Sequence, residues 1–180
     1  MPALVRKVAS ECFDCHVVNL PKPHRVPRGQ MVTGDHLARA LQLQAARVTG
    51  RGGVLVILDA DDDCPVELGR KLATTTSSAN IQVAVANREF EAWFLAGIES
   101  LRAHRMVKDK ASYAPDPDLT RDAKGALTDL MIEKYNETLH QPAFASLLDV
   151  NAAMRSRSFR HFVDSIGRLV SLAPPSHAQA

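Results

Sequence analysis

Gly53-Val54-Leu55-Val56-Ile57-Leu58-Asp59-Ala60-Asp61-Asp62-Asp63-Cys64-Pro65 decides how this chain folds. Five consecutive apolar residues, Val54 to Leu58, run directly into four carboxylates within five positions. An apolar run that does not alternate with polar residues marks a strand buried on both faces, the kind found in a parallel sheet covered by helices. Ligands of such sheets bind at the carboxyl ends of the strands. The acidic cluster therefore falls where an α/β protein keeps its chemistry. As the strand unwinds, Asp59 and Asp61 converge on one hard cation, with Asp63 close behind. Oxygen donors of this type suit Mg2+, Mn2+ or Ca2+. Helix capping is the competing use of the same residues, with Asp63 as N-cap and Pro65 in the first turn. Capping accounts for one aspartate and leaves three like charges crowded together.

A second apolar run, Ile81-Gln82-Val83-Ala84-Val85-Ala86, reads as the neighbouring buried strand, with a helix over 66–77 between the two. Glu89-Phe90-Glu91-Ala92-Trp93-Phe94-Leu95 follows it and starts a helix running to about Leu101. Glu89 and Glu91 thus fall near the carboxyl edge of the sheet, as further metal ligands or as favourable charges in a first helical turn. Phe90, Phe94 and Ile98 continue one helical face, which makes Trp93 and Phe94 core residues rather than base-stacking ones. Upstream, residues 2–12 read as a short helix and 16–20 as a short strand. Residues 35–48 read as an amphipathic helix with Thr33 or Asp35 as its cap, broken by Gly50-Arg51-Gly52-Gly53. Downstream come a loop over 102–119, helices near 121–134, 143–149 and 158–172, and a frayed tail over 173–180. The expected architecture is an α/β core of about three to four parallel strands over residues 1–101, and a C-terminal helical cap over 102–172.

The 180 residues suffice for one core and are too few for two comfortable domains. With 46% apolar and 23% charged residues, the balance is that of a soluble globular chain. A net charge of +2 neither establishes nor excludes a nucleic-acid partner, because local patches decide that. No apolar run approaches the ~20 residues of a membrane span, and the N-terminus lacks the apolar stretch of a secretory signal. A cytoplasmic protein with three reduced cysteines is the default expectation. Cys12-Phe13-Asp14-Cys15-His16 fits the spacing for covalent haem attachment. That chemistry takes place outside the cytoplasm, and no second cysteine pair completes a zinc site, so these read as buried small side chains at a helix–strand junction.

Positive charge must meet any phosphate. The candidates are Lys22, Arg25 and Arg28 in a loop stiffened by Pro21, Pro23 and Pro27, then Arg88, Lys124, and the cluster Arg155, Arg157, Arg160 and His161.

The runs Leu55–Pro65 and Ala86–Leu95, with Arg157-Ser158-Phe159-Arg160, resemble a bacterial family of unknown function, number 4276 in its series. That family is similar to the Toprim fold of type IA and II topoisomerases, DnaG-type primases and overcoming-lysogenization-defect nucleases. The resemblance spans Leu4 to about Leu172. It implies a Toprim-like nuclease that hydrolyses phosphodiester bonds, DNA above all, with Mg2+ or Mn2+. Asp59 and Asp61 match the family's Asp-x-Asp, and Glu89, then Glu91, would serve a second ion. The glutamate that ends the family's first strand has no counterpart here. The expectation is a strand ahead of Met1, or one that has been lost. Toprim-like proteins of this size also resemble the effector halves of phage-defence systems gated by a separate ATPase, so the alternative is an inactive module that binds such a partner. A homo-oligomer is compatible with either.

Rival enzymes fit less well. A haloacid-dehalogenase-type phosphatase carries Thr or Val where Asp63 stands, a metal-dependent glycosyltransferase needs a longer chain, and Tyr113 and Tyr135 are poor topoisomerase nucleophiles.

Overall fold

Strand β1 (Val54–Asp59) and strand β2 (Ile81–Ala86) lie in parallel, in a register that pairs Val54 with Ile81 and Asp59 with Ala86. This is a computed structural model, and it describes residues 1–32, 36–48, 52–74 and 80–171. The expected caps Thr33 and Asp35, the Gly50-Arg51 break, residues 75–77 of the fourth helix and the tail lie outside the described residues. In chain order the helices are α1 (Pro2–Phe13), α2 (Arg28–Val32), α3 (His36–Ala45), α4 (Pro65–Thr74), α5 (Glu91–Ala96), α6 (Ala123–Asp129), α7 (Glu137–Leu147), α8 (Val150–Ala153) and α9 (Arg157–Ser171).

The two strands are apolar throughout because both faces are covered. On one face Leu55, Ile57, Ala84 and Ala86 pack into the larger core with Leu4 and Val8 of α1 and Phe159, Phe162 and Ile166 of α9. On the other face Val56, Leu58 and Val85 meet Leu37 and Leu41 of α3 and Leu68 and Leu72 of α4. The result is a helix–sheet–helix sandwich, the expected mixed α/β class with a C-terminal helix. Gly53 opens β1 so close to the next chain segment that a Cβ there would lie 2.2 Å from the Asn80 carbonyl oxygen.

Several expectations need correction. The sheet holds two strands among the described residues, and 16–20 is not a strand. Asp14 caps α1 in the left-handed conformation, and His16 folds back between Ser10 Oγ and Asp14 Oδ1, both at 2.8 Å. These contacts draw the segment onto the end of α1, and Val17 is left 91% exposed. The Cys-x-x-Cys-His stretch therefore closes a helix onto a loop, and its cysteines are free thiols that are not buried as expected: Cys12 is exposed and Cys15 half-buried.

The helix after β2 is also shorter than expected. All six residues of α5 are buried, and Gly97 ends it under Leu148, 2.6 Å from where a Cβ would stand. The chain continues to Ala103 as a tighter 3-10 turn. Trp93 and Phe94 are fully buried, packed edge-on against Phe159 and Phe144 respectively. In the cap, α6 ends at Asp129 because Met131 forms an antiparallel bridge with Val107. Helix α7 begins six residues before the expected 143, at Glu137, where the Asn136 side chain accepts the Leu139 N–H at 3.1 Å. Pro142 removes one helical donor, yet the helix runs through it, because His140 and Phe144 on either side are buried.

The cap is tied to the core by one buried carboxylate. Asp118 Oδ1 accepts from Ser156 Oγ at 2.9 Å and Ser158 Oγ at 2.7 Å, and its Oδ2 accepts the N–H groups of Arg157 and Ser158. A negative charge at the start of α9 is favoured by the helix dipole. Trp93 Nε1 donates to Ser158 Oγ at 2.8 Å, and Asn87 Nδ2 donates to the Asp118 carbonyl, which carries the network to the end of β2.

Candidate functional site

Asp59 is the last residue of β1, and its side chain turns toward the helix that follows β2, where Oδ1 accepts the Phe90 N–H at 2.8 Å. Burial raises its pKa to about 6, against the opposing effects of the Phe90 N–H and Lys124, with Asp61 and Glu89 adding to the rise. The loops after the two strands are laced together. Ala60 N–H donates to Ala86 O and Asp61 N–H donates to Arg88 O, both at 2.9 Å. Each loop contains a non-glycine residue in the left-handed region, Asp61 at φ 52° and Arg88 at φ 62°. Such backbone costs on the order of 1 kcal/mol or more and gathers at functional sites.

The remaining acidic side chains of the first loop are held by guanidinium groups. Arg28 Nε lies 2.9 Å from Asp61 Oδ2, and its Nη2 lies 2.7 Å from both Asp63 Oδ2 and the Ala60 carbonyl oxygen. Arg88 Nη1 reaches Asp62 Oδ1 at 3.0 Å. Asp63 is therefore an anchor for Arg28 and not the cap of α4; Leu68 N–H bonds back to Cys64 O, which puts Cys64 at the N-cap position. Replacing Arg28 by Met is expected to destabilise the protein by about 1 kcal/mol, since the ion pairs are partly solvated while its contacts to the Asp59 and Ala60 carbonyl oxygens are better shielded. Urea titration measures this, and a change near zero would mean that the clamp contributes nothing in solution.

Glu89 and Glu91 part company. Glu89 Oε2 accepts the Lys124 N–H at 3.1 Å, so it caps the start of α6 and does not belong to α5. Glu91 is 1% exposed, and its Oε2 has no hydrogen-bond partner among the described residues. Burial raises its pKa to about 7; Lys124 opposes the rise, and Asp59 and Glu137 add to it. Lys124 Nζ pairs with Glu137 Oε1 at 2.7 Å at the start of α7. Burial disfavours the Lys124 charge, but the Glu137 bond and the charges of Glu91, Glu137 and Glu89 outweigh this and raise its pKa. Tyr135 completes the wall. It is buried, its hydroxyl has no hydrogen-bond partner among the described residues, and burial followed by the Glu91 charge holds the phenol above its usual range.

The fold thus brings Asp59, Glu89, Glu91 and Lys124 to one edge of the sheet and adds Glu137 and Tyr135, which sequence reasoning missed. The Asn136-Glu137 pair, a capping residue followed by an acid in a first turn, was the available signal for the helix start. Asp61, Asp62 and Asp63 face arginines instead. Arg25 acts on the Met1 amino group, lowering its pKa after burial. Arg160 donates to the Met154 and Arg155 carbonyls, Arg155 to those of Leu95 and Tyr113, and the Arg157 N–H is bound to Asp118. Among the described residues, no three His, Cys, Asp or Glu side chains gather into a ready-made metal cage. The Glu91 Oε2 is orphaned among the described residues, and the Asp59 charge adds to the rise of the Glu91 pKa.

A parallel α/β protein with a buried, carboxylate-lined strand edge is the class that fold and site define. The chain belongs to the family described as Domain of unknown function (DUF4276), whose family model matches residues 9–167. No curated protein and no solved structure matches it. Among the described residues no helix is long and apolar enough to cross a membrane.

Proposed function

We propose that this protein is a phosphodiesterase, a Toprim-like nuclease acting on DNA in the cytoplasm, which uses Mg2+ or Mn2+ held by Asp59, Glu89 and Glu91 with Asp61 as a further donor. The observation that carries the reading is the buried Glu91 carboxylate with an unpartnered oxygen beside Asp59 at the carboxyl end of a parallel sheet. A bound ion of this type activates water and neutralises the leaving oxygen. The chain's own groups prepare the site. The Phe90 N–H fixes the orientation of Asp59. Lys124 offsets part of the carboxylate repulsion and presents an ammonium to an incoming phosphate. Burial by α5 and the cap keeps the local dielectric low, which strengthens both effects. The sequence likeness to nucleases gated by an ATPase supports a place as the effector of a defence system.

The alternative is a catalytically inactive module that binds a partner such as an ATPase. It draws on the Arg28 clamp, which already occupies Asp61 and Asp63. Calorimetry with Mn2+ on the wild type and the Asp59→Asn/Asp61→Asn double variant separates the two. Binding that vanishes in the variant supports the metal reading and leads to nicking assays on DNA and RNA. Equal or absent binding in both would abandon the ion site and favour the partner-binding module.

A further inference from the structure

We infer that the solvent face of α9, which carries Arg157, Arg160, His161 and Arg168, is the surface on which duplex DNA docks through its phosphates. The inference names the surface by which the nuclease proposed above takes up its substrate, and it rests on that reading for its choice of partner. At about 100° per residue these four side chains, with Asp164 among them, fall on one side of the helix. All five are exposed. The opposite side places Phe159, Phe162, Val163 and Ile166 in the larger core. Helix α9 therefore has no apolar face left to lay into a bilayer, which an interfacial helix needs.

The cations of this face are uncommitted. Among the described residues the Arg157 and Arg168 guanidinium groups and the His161 ring make no ion pair or hydrogen bond, although Asp164 follows His161 and precedes Arg168 at helical spacing. Arg160 touches only the carbonyls of Met154 and Arg155. The first N–H groups of α9 are taken by Asp118, so attraction for an anion comes from the side chains. The position of the helix gives the stripe its direction. Asp118 binds the Arg157 N–H through its carboxylate and the Asn87 amide through its carbonyl, which sets Arg157 at the carboxyl edge of the sheet, the edge that holds Asp59. At the other end, Leu169 Cδ2 lies 2.4 Å from where a Cβ of Gly53 would stand, just ahead of β1. The stripe thus runs along the strands from the candidate site to the opposite edge. From Arg157 to Arg168 it covers about 16 Å, the span of about five phosphates along one strand of a duplex. Three guanidinium groups and an imidazole against one carboxylate make a positive line that complements such a backbone.

The test is fluorescence anisotropy of a short labelled DNA duplex, in EDTA and over a range of KCl concentrations. The proteins compared are the wild type, Arg157→Gln/Arg168→Gln, Asp164→Asn and Arg39→Gln/Arg70→Gln. The last variant removes the same charge from exposed positions of α3 and α4, which cover the other face of the sheet. Working without a divalent ion keeps the result independent of the metal site. Exposed, unpaired side chains are being replaced in the α9 variants, so their melting midpoints should stay within about 2 °C of wild type. Arg157→Gln/Arg168→Gln should weaken DNA binding by about tenfold or more and flatten the slope of log affinity against log salt by about 2, one for each lost phosphate contact. Asp164→Asn should bind about threefold more tightly, a gain that damage to the fold does not imitate. Unchanged binding in the α9 variants, or equal weakening in Arg39→Gln/Arg70→Gln, overturns this surface and leaves the nuclease reading standing. An RNA duplex bound more tightly than DNA, and lost in the same variant, overturns DNA as the occupant. A wild type that binds no DNA overturns the surface and the choice of DNA together, and Mn2+ calorimetry then judges the ion site by itself.

Discussion

Glu91→Gln is expected to make the metal-free protein more stable at pH 8, by on the order of 2 kcal/mol, because the variant removes a buried charge that the fold compensates poorly. The pH dependence fixes the sign. A carboxyl group whose pKa rises from 4.5 to about 7 binds its proton more tightly in the folded state. Its favourable contribution is complete below about pH 4.5, declines as the pH climbs, and is gone above about pH 7. Asp59, raised from 3.8 to about 6, behaves in the same direction over a slightly lower window. Melting curves of wild type and Glu91→Gln should therefore converge near pH 4.5 and separate by several degrees at pH 8. Added Mn2+ should close that gap by raising the wild type alone. A variant that melts below wild type at every pH would show that Glu91 is satisfied by contacts other than a cation.

Asp118→Ala carries the largest expected loss of stability. The carboxylate satisfies two serine hydroxyls and two backbone N–H groups at the start of α9, three of these bonds buried and that of the Arg157 N–H partly so. Removing it leaves these donors buried with no acceptor, at a cost of about 3 kcal/mol and a melting midpoint lower by about 10 °C. Trp93 is the chain's single tryptophan and hydrogen-bonds Ser158 within the same network, so its fluorescence reports the transition directly. A shift under about 2 °C would mean that water replaces the carboxylate at little cost.

The fold was legible where one residue pattern had one physical solution. Val54–Leu58 and Ile81–Ala86 are too apolar and too short to be anything other than buried strands, and the stripe Phe159, Phe162, Val163, Ile166 reads as a helix. It failed where a local contact overrode the pattern: His16 is drawn back to Ser10 and Asp14, Gly97 fits beneath Leu148, and Asn136 starts a helix ahead of Pro142.

The site divides in the same way. Asp59, Glu89 and Glu91 are placed by strand ends, which sequence reveals. The pairing of Arg28 with Asp61 and Asp63, and the approach of Lys124, Tyr135 and Glu137, depend on how distant segments pack, which residue spacing does not encode. Asp118 gave no signal because its importance lies in four donors from Ser156 and the first residues of α9.

The packing of α1 against α9 has a consequence for synthesis. Leu4 and Val8 emerge from the ribosome about 150 residues before the Phe159–Ile166 stripe that covers them. Until then one face of the nascent sheet and the apolar side of the first helix have no permanent cover, a state prone to association with other chains. The segment from α3 to β2 can pair β1 with β2 and cover their other face with α3 and α4, but closure of the larger core waits for α9. Slow or interrupted translation between β2 and α9 would lengthen that vulnerable interval, and chaperone demand should rise accordingly.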